Sequence, residues 1–182
     1  PEREVNSCGN LDVANANYTL INDVNSGGTC MYVLANNITL DCKGFEINYS
    51  QSVVGYGVNI SGYNYSTIRS CNIVQADLAT DNSNAYGVYV FNRAKNNTVF
   101  NNTITTYGNI AYGIYLFSEV YNNSVYNNNI TTSGLTNGYG VVLGTTSYSN
   151  SVYGNVITTS GSGGFGVYLT SLLNNYSLLI VL

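Results

Sequence analysis

Side chains able to carry acid, base, nucleophilic or metal chemistry are few among these 182 residues, and their types narrow the options. With no histidine in the chain, Ser-His-Asp and Cys-His nucleophilic sites, His-ligated zinc or copper and imidazole proton shuttles are excluded. The carboxylates are Glu2, Glu4, Asp12, Asp23, Asp41, Glu46, Asp77, Asp81 and Glu119. Hydrolysis by paired carboxylates, or β-elimination at a carboxylate-bound Ca²⁺, needs several of these charges together on one face. Beyond Asn96 only Glu119 remains, so the C-terminal half cannot supply a pair. Asp77 and Asp81 flank the polar stretch before Tyr86 and are the best candidates for a weak Ca²⁺ or hydrolytic site; a solvated loop is the simpler reading. We therefore expect no enzymatic activity and no cofactor.

Charged residues make up 8 % of the chain and the net charge is −4, which provides no basic footprint for nucleic acid or anionic lipid. The longest apolar run, Leu178 to Leu182, falls far short of the ~20 residues of a membrane-spanning helix, so no membrane span is expected. Cys8, Cys30, Cys42 and Cys71 all lie in the first 71 residues. Without His or a CxxC pair, metal ligation is disfavoured, leaving buried free thiols or two disulfides formed in an oxidising compartment; the second is preferred.

What must position these residues is a repeat. Aromatic-Gly-aliphatic-x-aliphatic recurs as YGVNI at Tyr56, YGVYV at Tyr86, YGIYL at Tyr112, YGVVL at Tyr139 and FGVYL at Phe165, with spacings of 30, 26, 27 and 26. A second pattern follows each of the first four: STIRSCNI from Ser66, NTVFNNTI from Asn97, NSVYNNNI from Asn123 and NSVYGNVI from Asn150. These runs alternate with period two and are separated by Asn, Gly and Ser, which reads as short strands. Strands returning every 26 residues, with no room for a crossover helix, bury their apolar face by coiling about an axis and stacking turn on turn. The fold class is therefore all-β, a parallel β-helix of about seven coils, roughly 30 Å long at ~4.8 Å per coil.

Alternation assigns the faces. Val58/Ile60, Val88/Val90, Ile114/Leu116, Val141/Leu143 and Val167/Leu169 fill the bore, as do Ile68, Val99, Val125 and Val152, and Ile73, Ile104, Ile130 and Ile157. One exterior column then holds Tyr89, Tyr115, Val142 and Tyr168, and a second holds Arg69, Phe100, Tyr126 and Tyr153. Cys71, Asn102, Asn128 and Asn155 share a turn, where Asn tolerates the left-handed conformation and its carboxamides can bond from coil to coil. Asp41 and Arg69 fall on adjacent coils as an exposed ion pair.

The NITLDCKGFEI segment and the two repeated patterns resemble right-handed parallel β-helix repeats of the pectate-lyase-like and NosD-like type, found in secreted and cell-surface proteins. The resemblance covers residues 30–182, with 1–29 similar to a capping segment whose Cys pair staples the first turns. It implies a secreted, extracellular or cell-surface location and a Cys8–Cys30 bridge; Cys42 and Cys71, on consecutive coils, are then expected to pair. The copper association of NosD-like proteins is not supported, because His is absent and Met31 stands alone.

Ten Asn-x-Ser/Thr sequons occur, at Asn17, Asn37, Asn48, Asn59, Asn64, Asn96, Asn101, Asn122, Asn129 and Asn175. Glycans are thus a candidate partner class, with the repeat-equivalent Asn96 and Asn122 expected to be accessible. The C-terminal run Leu178, Leu179, Ile180, Val181 and Leu182 reads as a strand with a bare edge, Leu178 level with Val152 and Leu179 with Tyr153. A chain continuing into another domain, a tail folded back, and a head-to-tail contact between copies all remain open; the last generates a filament. The preferred function is a non-enzymatic extracellular structural protein stacking into a filament or surface layer. The alternative is a carbohydrate-binding or polysaccharide-cleaving module of a larger surface protein.

Overall fold

A computed structural model describes residues 1–76 and 84–170 and the backbone of Leu179–Val181. Every regular element among these residues is a strand, and all strand pairings are parallel. Sheet A stacks Glu2–Val5, Asn17–Leu20, Thr39–Asp41, Thr67–Arg69, Thr98–Phe100, Ser124–Tyr126, Ser151–Tyr153 and Leu179–Val181. Sheet B stacks Gly9–Leu11, Met31–Val33, Val58–Ser61, Val88–Phe91, Ile114–Phe117, Val141–Leu143 and Val167–Leu169. Sheet C stacks Val24–Asn25, Glu46–Tyr49, Asn72–Gln75, Thr103–Thr106, Asn129–Thr132 and Val156–Thr159. The chain visits B, A and C in turn and so winds a parallel β-solenoid.

Sheet C has six strands, so six circuits are complete, against the seven expected. Glu2–Val5 at one end, and Val167–Leu169 with Leu179–Val181 at the other, belong to partial circuits. The segment 1–29 carries no copy of the aromatic-Gly pattern, yet its strands continue all three sheets, with Gly9 level with Met31 and Asn17 with Thr39. Among the described residues no helix is long and apolar enough to cross a membrane.

Inward residues form straight files. Met31, Val58, Val88, Ile114 and Val141 make one, Leu40, Ile68, Val99, Val125 and Val152 another, and Ile47, Ile73, Ile104 and Ile130 a third, all of them buried. Each such side chain contributes roughly 1.5–3 kcal/mol by leaving water, and the ordered backbone offsets most of the sum. The glycine of the aromatic-Gly pattern lets sheet B approach sheet C: a Cβ on Gly113 would collide with Ile130 Cγ2 and the Gly140 carbonyl.

Corners rely on left-handed residues, and here the structure corrects the sequence reading. Asn102, Asn128 and Asn155 themselves point inward; the left-handed residue is the one before, Ser70 (φ 54°), Asn101 (φ 54°), Asn127 (φ 54°) and Gly154 (φ 63°). Asn102 donates from Nδ2 to Asn128 Oδ1 at 3.0 Å, and Asn128 to Asn155 Oδ1 at 2.9 Å. A second ladder runs along the opposite margin of sheet A, where Asn97 donates to Asn123 Oδ1 at 3.1 Å and Asn123 to Asn150 Oδ1 at 3.0 Å. Its members also share one register 26–27 residues apart, which is the sequence signal that identifies it. Cys8 pairs with Cys30 and Cys42 with Cys71, and the first ladder ends where the Cys71 amide donates to Asn102 Oδ1. Two disulfides are consistent with an extracellular protein.

Candidate functional site

The outer face of sheet A brings the chemically capable residues together. Outward positions follow the register in two rows. One runs Glu2, Asn17, Thr39, Thr67, Thr98, Ser124 and Ser151. The other runs Glu4, Thr19, Asp41, Arg69, Phe100, Tyr126 and Tyr153. Over the early turns these rows line a groove of about 470 Å³, walled by Phe100 and Glu2 and floored by Thr39, Thr67, Asp41 and Arg69. That volume lies within the range of sites that hold small ligands, about 300–1,000 Å³.

Asp41 organises the floor. Its Oδ2 lies 2.9 Å from both Lys43 Nζ and Arg69 Nη2, and its Oδ1 accepts the Lys43 amide at 3.1 Å. The pair with Arg69 is not the exposed one expected, since Asp41 is only 5 % exposed. The tight turn at Lys43 (φ 53°) brings a second cation back over the carboxylate and covers it. Burial raises the Asp41 carboxyl, but the Lys43 hydrogen bonds and the Arg69 and Lys43 charges outweigh it and hold the group below its ordinary value. Arg69 Nη2 is committed to Asp41, while Arg69 Nε is buried with no acceptor. Such an orphan donor costs roughly 1–3 kcal/mol, a cost that the two ion pairs on Asp41 offset.

The aromatic columns meet this site at one point. Phe100 and Tyr126 stack with centroids 5.1 Å apart and planes within 10°, and Tyr126 and Tyr153 at 5.0 Å and 5°. Parallel rings this close cannot lie edge to edge without overlapping, so they cover one another's faces. The interior of the ladder therefore offers ring edges and hydroxyls, not flat platforms. Phe100 ends the ladder: the next residue down the row is Arg69 and not a ring, and Phe100 borders the groove.

Sheet B carries a larger cluster. Tyr56, Tyr86, Tyr112 and Tyr139 stack at 5.0–5.5 Å, a column that the sequence reading left unassigned, and Tyr89 and Tyr115 pack against it edge-on or tilted. Val142, expected outward, is 1 % exposed, and Tyr168 above it turns onto Tyr139 at 4.5 Å. Burial, with the Tyr56 phenol adding, pushes the Tyr89 hydroxyl up to about 12; burial, with Tyr89 and Tyr112 adding, does the same for Tyr115.

Sequons spread over the whole surface. Asn17, Asn37, Asn101, Asn122 and Asn129 are exposed, while Asn48, Asn59, Asn64 and Asn96 are half-buried. Asn96, expected to be accessible, is thus more covered than its repeat partner Asn122. Leu179–Val181 pairs with Ser151–Tyr153, placing Ile180 opposite Val152 and Val181 opposite Tyr153. The register thus differs by two residues from the one expected, which leaves the alternation unchanged. Leu178, Leu182, Asn175, Asp77 and Asp81 lie outside the described residues. Among the described residues no three His, Cys, Asp or Glu side chains gather to hold a metal ion. The chain matches no protein-family model and no curated protein.

Proposed function

We propose that this chain is a non-catalytic, extracellular surface module that binds neutral polysaccharide along the outer face of sheet A. The groove at Phe100 carries the reading. It sets the last ring of the ladder beside a carboxylate, a guanidinium, an ammonium and a rank of threonine hydroxyls. A hexopyranose has an apolar face for the ring and vicinal hydroxyls for the charged pair. Formal charges in the groove cancel, Glu2 and Asp41 against Lys43 and Arg69, so a neutral chain suits it better than a polyuronate. The two disulfides and the sequons support an extracellular, glycosylated protein.

Affinity electrophoresis through gels containing mannan, galactan, dextran or polygalacturonate tests the proposal. At least one neutral polymer retards the chain, and Phe100→Ala or Arg69→Ala weakens that retardation about tenfold, equivalent to ~1.4 kcal/mol. Unretarded migration in every neutral polymer, or retardation indifferent to both substitutions, refutes it. Head-to-tail stacking into a filament is the second reading. It is favoured by three sheets whose strands pair in parallel register from turn to turn, a geometry that a second copy can extend.

A further inference from the structure

Sequons fall into two geometric classes. Asn37, Asn96 and Asn122 occupy one corner of the solenoid, between sheets B and A, with φ of 57°, 55° and 56°; Asn101 sits at the next corner with φ 54°. In all four the residue after the asparagine turns inward, as Ile38, Asn97, Asn102 and Asn123 are buried, and the Thr or Ser after that faces out. A left-handed asparagine at a bend is projected from the surface, with its sequon hydroxyl on the same side. The others differ. Asn17, Asn48, Asn59 and Asn129 lie in strands without the left-handed φ, with Asn48 Oδ1 and Asn59 Oδ1 buried. Asn64 precedes the bend, and its carboxamide oxygen accepts the Lys95 amide at 2.9 Å.

Register adds a second constraint. Thr98 pairs with Ser124, so Asn96 lies directly beside Asn122 on the neighbouring turn, about 4.8 Å away. A hexose is wider than that separation. Asn37 stands two turns from Asn96, with Tyr65 at the intervening position, so no corner sequon adjoins it; its Nδ2 donates to Asn15 Oδ1 at 2.9 Å in an exposed contact.

We propose that the left-handed corners are the N-glycan acceptor sites of this chain, with Asn37, Asn101 and Asn122 occupied and Asn96 modified only when Asn122 is not. The inference rests on the extracellular glycoprotein reading above. The donor class is an oligosaccharide linked to a lipid diphosphate. The Asn Nδ2–C1 bond forms as the sugar C1–O bond to the diphosphate breaks, the diphosphate leaves with the electron pair, and the transferase takes the amide proton.

The test is secretion of the full chain from a host with an oligosaccharyltransferase, with a reporter sequon on a flexible tail. Glycopeptides are mapped after enzymatic release in H₂¹⁸O. We expect label at Asn37, Asn101 and Asn122 and at the reporter, and at Asn96 only in the Ser124→Ala chain, which removes the Asn122 sequon and keeps its asparagine. Label concentrated on the strand sequons, or on Asn96 and Asn122 of the same molecule, overturns the corner rule and leaves the glycoprotein reading intact. A labelled reporter with every native sequon bare overturns both.

Discussion

Truncating Asn128 to alanine removes one rung of a buried ladder, and the cost can be worked from its partners. Its Nδ2 donates to Val99 O at 2.9 Å, Tyr126 O at 3.1 Å and Asn155 Oδ1 at 2.9 Å; its Oδ1 accepts from the Asn102 amide at 3.1 Å and Asn102 Nδ2 at 3.0 Å. Alanine leaves the buried Asn102 amide and the Val99 carbonyl without these partners, and water cannot reach them readily, since Asn128 and Asn102 are both buried. At roughly 1–3 kcal/mol for each of the two orphaned groups, the loss is about 2–6 kcal/mol, a large share of the ~5–15 kcal/mol that holds a domain together. Asn127→Gly, one residue away, is the control. Position 127 is exposed and left-handed, so glycine accepts its φ and the change stays within about 0.5 kcal/mol. Urea unfolding followed by far-UV circular dichroism and tyrosine fluorescence gives both values from the shift in midpoint. An Asn128→Ala chain within 0.5 kcal/mol of the parent, or no less stable than Asn127→Gly, shows that the ladder is decorative and refutes the reasoning.

Three further outcomes are expected. Replacing both Cys42 and Cys71 by alanine opens a link spanning 29 residues and costs about 3–4 kcal/mol by chain entropy, read as a lower melting temperature in non-reducing buffer. Asp41 has a folded pKa below its unfolded value, so its stabilisation is present above the unfolded pKa of 3.8 and is lost as pH falls through the folded value; thermal melts of Asp41→Asn lack that acid-side decline. Tyr89 and Tyr115 have folded pKa values raised to about 12, so their contribution is intact below pH 10 and disappears between pH 10 and 12. Absorbance at 295 nm in that window rises late for the folded chain and early in urea.

Sequence made the solenoid legible because the bore is filled by alternation at a fixed spacing: Val88 and Val90, Ile114 and Leu116 could lie nowhere else once the repeat was aligned. The Asn102–Asn128–Asn155 ladder followed from that alignment. The first turn did not, since Gly9–Leu11 and Asn17–Leu20 carry no aromatic-Gly signature and their register depends on strand pairing. Without that register Glu2 and Asn17 could not be placed beside Thr39, and the groove stayed hidden. The repeat aligns Asp41 with Arg69, but alternation alone reads them as an exposed pair, because the return of Lys43 is a property of a local turn. The tyrosine columns were foreseen as rows, yet whether their faces were free or stacked is set by ring rotation, which period-two patterning does not encode.

On the proposed reading, the outer face of sheet A, at the lower end of the Phe100 ladder, receives a neutral glycan. Backbone amide shifts of the ¹⁵N-labelled chain, titrated with a short oligosaccharide of the polymer that retards it, test this most directly. Saturable changes confined to Thr39, Thr67, Arg69, Phe100 and their neighbours, abolished by Phe100→Ala, are expected. Changes spread along the tyrosine column of sheet B with the groove silent would contradict it.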